Sequence, residues 1–188
     1  VTQSVNRDSG FSITKFTGHN DGVVIPHNLG ATPAFFVIKN LTDANGWMAW
    51  HQNLSATSNY SLRFDNDSVE SYDTQFFSTA PSTTVITGGN GGGSGGTSAK
   101  KYICYAWKAV SGVSAFGSYV GTGGAWTSGN NGGAQDVGFK PRFLITKNID
   151  TGSTHWMMFD SFRDASSDTK TSRLHPNLDN DEYSHSNG

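Results

Sequence analysis

The chain has 188 residues, and its 13 basic and 15 acidic side chains give a formal net charge of −2, which excludes a strongly basic nucleic-acid binder and an acidic tail. Glycine and serine number 23 each, threonine 19 and asparagine 15, so turn-forming residues are abundant and long helices are not expected. Aromatic residues make up 12% of the chain, which excludes a disordered Ser/Gly linker and favours a packed β protein.

The predicted elements are short strands. Alternation with period two predicts a strand at 11–16, and the run at 35–39 is apolar on both sides, which is typical of a central strand. Further strands are predicted at 47–50, 60–62 and 101–107, and no window shows a helical stripe. We expect an all-β fold built from antiparallel, jelly-roll-like β-sandwiches. The residues expected in the cores are Phe35, Val37, Ile38, Trp47, Phe143, Ile145 and Trp156.

The single cysteine, Cys104, lies within an alternating strand pattern. It is predicted to be a small buried apolar residue, and an intrachain disulfide is excluded. No segment approaches the roughly 20 apolar residues that a membrane span requires. We therefore expect stability to come from packing or assembly.

An internal repeat is the most informative feature of the sequence. Residues 30–40 and 138–148 share five identities in eleven positions at a constant offset of 108, where chance would give about one. After a one-residue slip, 47–50 aligns with 156–159. The repeat predicts a tandem pair of β-sandwiches.

The alignment also predicts the domain boundaries. Upstream, 16–18 aligns with 119–121. We therefore assign a lead-in segment to 1–9, the first repeat to 10–110 and the second repeat to 111–188.

The second repeat is predicted to be incomplete. The first continues for nearly 50 residues after its strand at 60–62, whereas only 14 residues follow Leu174. A sandwich without its closing strands exposes an apolar face and an open edge. We expect the missing strands to come from a continuation of the chain or from a neighbouring chain.

The glycine tract at 88–96 matches two motifs of enzymes. It contains Gly-x-Gly-x-x-Gly and, around Ser94, Gly-x-Ser-x-Gly. A dinucleotide loop and a nucleophile elbow both require a following helix, but the tract leads into an alternating strand. We interpret it as a long flexible hairpin or surface loop, and no catalytic residue is assigned.

Candidate metal ligands are few. Asp-Asn-Asp occurs twice, and its carboxylates, Asp65, Asp67, Asp179 and Asp181, are candidate Ca²⁺ ligands. The alternative is an Asx-turn, in which the same side chains hold a tight bend without a metal. The six histidines form no closely spaced pair, and apart from calcium the sequence predicts no cofactor.

Trp126 is the candidate ligand-binding residue. It lies in a loop at 121–133 that is rich in glycine and asparagine and has no apolar neighbours. A tryptophan in such a place suits sugar stacking, a subunit contact or local packing. The other four tryptophans lie on predicted strands and are expected in the core.

A set of turns and strand starts is distinctive in combination. It comprises 10–13, 16–18, 25–30 with Pro33 and Lys39, 105–107 and 116–121. Together they resemble a repeated β-rich domain of unassigned function in virion proteins of tailed bacteriophages, especially those that infect marine bacteria. The resemblance spans nearly the whole chain and implies a tail-fibre-like structural protein, intertwined homotrimers and no catalytic residues. In that family the second copy continues past a Ser-Asn-Gly like that at 186–188.

We therefore expect a non-enzymatic structural and adhesive module of a virion appendage (a tail fibre, spike or surface fibre) with a role in host attachment. The expected partners are copies of itself, as a homotrimer, other virion proteins and a host surface glycan, but neither nucleic acid nor a membrane. One alternative is a bacterial extracellular carbohydrate-binding or adhesin module. The other is a polysaccharide-degrading tailspike, which needs two carboxylates facing a cleft, and the sequence nominates no such pair.

Overall fold

The computed structural model describes residues 1–122, 135–163 and 172–183. These residues form strands and no helix, and every strand pair among them is antiparallel, which confirms the all-β class. No helix among them is long and apolar enough to cross a membrane. The strands are β1 (Thr2–Asn6), β2 (Phe11–Thr17), β3 (Val23–Pro26), β4 (Phe35–Asn40), β5 (Trp47–His51), β6 (Tyr60–Arg63), β7 (Ser71–Tyr72), β8 (Val85–Gly88), β9 (Lys101–Trp107), β10 (Phe143–Thr146) and β11 (Met157–Asp160).

A seven-stranded sheet forms the centre of the molecule, with the strand order β1-β2-β9-β4-β5-β6-β7. The strand predicted to be central, β4, lies between β9 and β5. The lead-in segment contributes β1, which pairs with β2 at one edge. Strands β4 to β7 therefore follow one another as hairpins in one half of the sheet. In the other half, the long connection before β9 allows that strand to lie between β2 and β4.

One side of this sheet, called the inner face, is buried along the central strands β2, β9, β4 and β5. The β3–β8 ribbon lies over it: Thr14 Oγ1 donates to the Pro26 carbonyl at 2.9 Å, and Ile25 and Ile86 join the same core. Phe77 meets the Phe36 ring edge-on at 5.0 Å. The second layer is therefore a two-stranded ribbon with packed loops. The inner face consists of Ser12, Thr14, Phe16, Phe36, Ile38, Asn40, Met48, Trp50, Tyr102, Cys104 and Ala106.

A second region begins with the β10–β11 hairpin. Single bridges add Leu174 beside Met158 and Tyr183 beside Arg173. The hairpin packs on the first region through Trp156, whose ring lies 4.9 Å from that of Phe64. The indole N–H of this tryptophan donates to the Arg63 carbonyl at 2.9 Å.

The two hairpins β4–β5 and β10–β11 have the same register. Phe36 lies opposite Trp50, and Leu144, aligned with Phe36 in the repeat, lies opposite Phe159, aligned with Trp50. The turns also agree: Asn40 Oδ1 accepts the N–H groups two and three residues ahead, and Asn148 Oδ1 does the same.

The predicted core is partly correct. Val37, Ile38 and Trp156 are buried as expected. Cys104 is also buried on its strand, as predicted, and burial raises the pKa of its thiol.

The other predicted core positions need correction. Phe35, Trp47 and Ile145 are half-buried, and Phe143 is 58% exposed. The side of the sheet that carries Phe35 and Trp47 is covered only in part by the described residues, since Val37 and Ala49 on that side are buried but Phe35 and Trp47 are not. Phe143 is exposed because β10 has a strand partner on one side only among the described residues.

Candidate functional site

The other side of the seven-stranded sheet, called the outer face, carries a row of aromatic side chains. Strand registry places Phe11, Trp107, Phe35 and His51 side by side on four neighbouring strands. Ring centroids lie 4.9 Å apart for Phe11 and Trp107, and 5.5 Å apart for Trp107 and Phe35. All four are half-buried, so the row is an ordered surface with one side of its rings open to solvent.

Two further rows run parallel to the aromatic row. The first holds Ile13, Tyr105 and Val37, and Tyr105 stacks at 6.4 Å on Phe11. The second combines cationic and aromatic side chains, with Lys15, Ile103, Lys39 and Trp47 in register. The Lys39 ammonium lies 5.9 Å from the centre of the Trp47 ring, a cation–π distance.

A segment after β9 returns to cover one end of the row. The Phe116 ring lies 6.4 Å from that of Phe35 and 6.5 Å from that of His51. Gln52 Nε2 donates to the Phe116 carbonyl at 3.1 Å and holds the segment in place. Burial among these groups lowers the pKa of His51, which favours its neutral, more apolar form.

The strand pattern explains why this face is apolar. In β9 the inward positions hold Tyr102, Cys104 and Ala106, while the outward positions hold Ile103, Tyr105 and Trp107. Both sides of the strand are thus suited to burial, but the residues that the structure describes bury only one of them fully. An apolar sheet face of this kind is typical of a surface that contacts a partner.

The glycine tract at 88–96 is not part of this surface, and the prediction of a flexible surface loop is wrong. Ser94 is fully buried, and the tract packs over the inner face. The Tyr102 hydroxyl donates to the Gly92 carbonyl at 2.9 Å. A Cβ atom on Gly96 would lie 2.0 Å from the carbonyl carbon of Asn90, so glycine is required by close backbone packing. The segment around Gly91 therefore packs against the inner face and does not face solvent.

The tract also lacks the surroundings that either enzyme motif requires. Ser94 Oγ donates to the Gly91 carbonyl at 3.2 Å, and the chain continues into β9. No helix begins there to bind a phosphate or to present a nucleophile.

The first aspartate motif has a structural role. Asp65 Oδ1 accepts the Trp47 N–H at 2.8 Å and lies 3.5 Å from Arg63 Nε. Asn66 Oδ1 accepts the Ser68 N–H at 3.0 Å, which is the Asx-turn of the alternative interpretation. Asp67 contributes its carbonyl, which lies 3.4 Å from Lys147 Nζ.

The second aspartate motif is not the structural counterpart of the first. Asp179 and Asp181 are exposed. The residue that accepts the Trp156 N–H, as Asp65 does for Trp47, is Asn177 at 3.0 Å. Among residues 1–122, 135–163 and 172–183, no group of three or more His, Cys, Asp or Glu side chains could hold a metal ion.

Three further points concern Trp126, a buried histidine and the tryptophans expected in the core. Trp126 lies outside the described residues, so its predicted ligand-binding role stays a prediction. His27 is buried with both ring nitrogens used, at 3.2 Å from the Ser82 carbonyl and 3.2 Å from the Leu29 N–H. Of the tryptophans expected in the core, Trp50 and Trp156 are buried, but Trp47 and Trp107 lie on the outer face. Their position is the feature that the sequence prediction missed.

The fold and this face define an all-β protein with a partly exposed aromatic sheet surface. The whole chain, residues 1–188, matches the family described as a domain of unknown function (DUF7483), and the chain belongs to that family. Neither a curated protein nor a solved structure matches it. The geometry of the outer face is therefore the main guide to function.

Proposed function

We propose that this chain is a non-enzymatic structural and adhesive module of a bacteriophage virion appendage, and that its outer face is the surface through which copies of the chain associate. The module consists of tandem, jelly-roll-like β-sandwich repeats at 10–110 and 111–188. The resemblance to tail-fibre-like proteins implies a homotrimer, other virion proteins as neighbours and attachment to a host as the role.

The aromatic row is the observation that carries this proposal. Phe11, Trp107 and Phe35 are ordered by stacking on one another, so little side-chain entropy remains to be lost when a partner covers them. Their neighbour in the next row, Ile13, is aliphatic and half-buried. Contiguous aromatic and aliphatic surface favours a protein partner over a glycan, because sugar rings also need polar groups beside the aromatic platform.

Shared hydrogen bonds support the tandem repeat. Ala49 pairs with Leu62 in the first region, and their aligned counterparts Met158 and Leu174 form a bridge in the second. The Gln52 N–H donates to the Ala34 carbonyl at 2.9 Å, and the aligned Ser161 N–H donates to the Arg142 carbonyl at 2.9 Å.

The turn at the start of each hairpin supports the same conclusion. Gly30 and Gly138 stand at aligned positions and have φ angles of 77° and 76°. Only glycine adopts this left-handed conformation without steric cost. The sequence repeat thus extends to backbone geometry where no core contact requires it.

A pair of variants tests the outer face as the association surface. Phe11→Lys places a charge in the aromatic row, and Val24→Lys is the matched control, because Val24 is 60% exposed on the β3–β8 ribbon. Light scattering after size exclusion should give three times the 20.1 kDa chain mass for the parent and for Val24→Lys. Phe11→Lys should dissociate at a chain concentration at least tenfold higher than theirs.

The fold is checked by far-ultraviolet circular dichroism, and Ile13→Lys replaces Phe11→Lys if the latter does not fold. An oligomer that tolerates both charges equally would contradict the proposal. A monomeric parent that binds a glycan, with Trp107→Ala abolishing the binding, would favour the bacterial adhesin alternative instead.

A further inference from the structure

One edge of the β10 strand is open in the part of the chain that the structure describes. Among the described residues it pairs with β11 alone, and Phe143 and Leu144 are 58% and 49% exposed. Backbone N–H and C=O groups along such an edge form a template for another strand. The apolar side chains on both sides of the edge add a surface that such a strand would cover.

The first region shows which kind of strand occupies this place. There β4, aligned with β10, pairs with β5 on one side and with β9 on the other. The β9 residues that face the core opposite Phe36 and Ile38 are Ala106 and Cys104, which are small and fully buried. On the outer side, the aromatic residues Tyr105 and Trp107 lie opposite Val37 and Phe35.

A second unpaired segment points to the same missing strand. Residues 119–121 align with 16–18, which belong to β2 and the turn after it, and β2 reaches β4 only through β9. In the structure 115–122 form no strand, and Val120 is 88% exposed. One strand inserted beside β10 would therefore provide a partner for both segments.

A depression marks the place where this strand would begin to pair. It has a volume of about 480 Å³ and is lined by Lys140, Pro141, Arg142, Ser161 and Phe162. In the first region the residue aligned with Arg142 is Ala34, whose N–H donates to the Trp107 carbonyl at 2.7 Å. The equivalent of Trp107 would thus lie beside Arg142 and opposite Phe143.

We propose that the open edge of β10 binds an extended strand with the chemistry of β9, antiparallel, with small apolar residues facing Leu144 and Thr146 and aromatic residues facing Phe143 and Ile145. This inference rests on the tandem repeat in the proposed function. It goes beyond that function by naming a binding site and its occupant. The β9 sequence is the probe, because β9 is the strand that pairs with β4, and β4 is aligned with β10.

The experiment uses the full chain and a synthetic peptide of residues 100–108 that carries Cys104→Ser to prevent oxidation. The control peptide carries Tyr105→Pro as well, which removes an N–H donor on the side of β9 that pairs with β4 and disfavours pairing within a sheet. We expect the first peptide to bind one per chain with a dissociation constant below about 100 μM. The control peptide should bind at least tenfold more weakly.

Hydrogen exchange locates the binding. The first peptide should slow exchange of amides at 143–146, and Phe143→Lys should weaken binding at least tenfold. Val24→Lys, on the β3–β8 ribbon, should bind as the parent does. Binding without protection at 143–146 would overturn the inference, as would a dimer formed through β10 that excess peptide does not dissociate.

The same data separate this inference from the repeat itself. Protection of the Met158 and Leu174 amides in the free chain reports that the second region is folded like the first. If these amides are protected and 1 mM peptide does not bind, the strand site is wrong while the repeat stands. If they exchange freely, the repeat fails, and the strand site fails with it.

Discussion

The β4–β5 and β10–β11 hairpins have the same register and equivalent turns but different burial. Phe36 is 1% exposed, whereas Leu144 at the aligned position is 49% exposed. Both lie opposite a large aromatic side chain, Trp50 or Phe159. The difference therefore arises from what surrounds each hairpin: β9, the β3–β8 ribbon and the glycine tract enclose the first, and no described residue occupies the place of β9 beside the second.

The two hairpins thus separate what local sequence determines from what distant parts of the chain determine. Turn residues and strand alternation are local, so the two similar sequence segments form hairpins of the same register. Burial depends on strands distant in the chain, so it differs between the copies. The predictions below test this separation, beginning with the largest expected effect.

Truncation of the aligned core residues should give the greatest contrast. Phe36→Ala should lower the free energy of unfolding by about 4 kcal/mol, because it removes a ring packed on Trp50 and Phe77 and leaves a cavity. Leu144→Ala should lower it by less than about 1 kcal/mol, since half of that side chain is already in solvent. Urea unfolding followed by circular dichroism measures both, and equal effects would contradict the difference in burial.

Substitution of glycine should distinguish the regions in the same way. Gly96→Ala should cost about 3 kcal/mol, because its Cβ atom would meet the backbone of Asn90. Gly117→Ala is the matched control, because a Cβ atom there meets nothing within 4 Å. Thermal unfolding should show a large drop for the first variant and little change for the second; similar melting temperatures would mean that the tract is not closely packed.

Removal of the carboxylate that caps β5 should have an intermediate effect. Asp65→Ala leaves the Trp47 N–H without its partner and should cost about 1 to 2 kcal/mol. Asp65→Asn, which reproduces the residue that serves Trp156, should recover most of this loss. Chemical denaturation measures the free energy of unfolding of both variants. An alanine variant as stable as the parent would show that the Asp65 carboxylate does not stabilise the start of β5.

Protonation of His51 should produce the smallest effect. Burial lowers the pKa of this side chain below its ordinary value of 6.5, so at mildly acidic pH the unfolded chain binds a proton more readily than the folded chain does. The stability contributed by the neutral ring is complete above pH 6.5 and is lost as pH falls through the lower folded-state pKa. His51→Gln should lose less stability than the parent between pH 7.5 and pH 5, and parallel pH profiles would contradict this cause.

Much of the fold follows from the sequence. Period-two alternation predicted the strands, and the repeat predicted which residues of the second region correspond to β4 and β5. The glycine tract could not be predicted, because the reason for glycine at position 96 is the approach of Asn90, a contact between backbone atoms that no pattern encodes. Glycine-rich sequence fits a mobile loop and a densely packed one equally well.

The candidate site was only partly predictable for a related reason. The alternation in β9 indicates that both sides of the strand are apolar, but it does not tell which side is covered within the chain. The sequence therefore predicts a core position for Trp107. It is only half-buried because the described residues cover the outer face in part, which depends on segments distant in the chain.

Sedimentation equilibrium of the parent chain tests the central claim most directly. If the outer face associates with copies of itself, the mass between 1 and 100 μM should approach three times 20.1 kDa. A mass of one chain across that whole range would show that the aromatic face does not hold copies together, and would contradict the account.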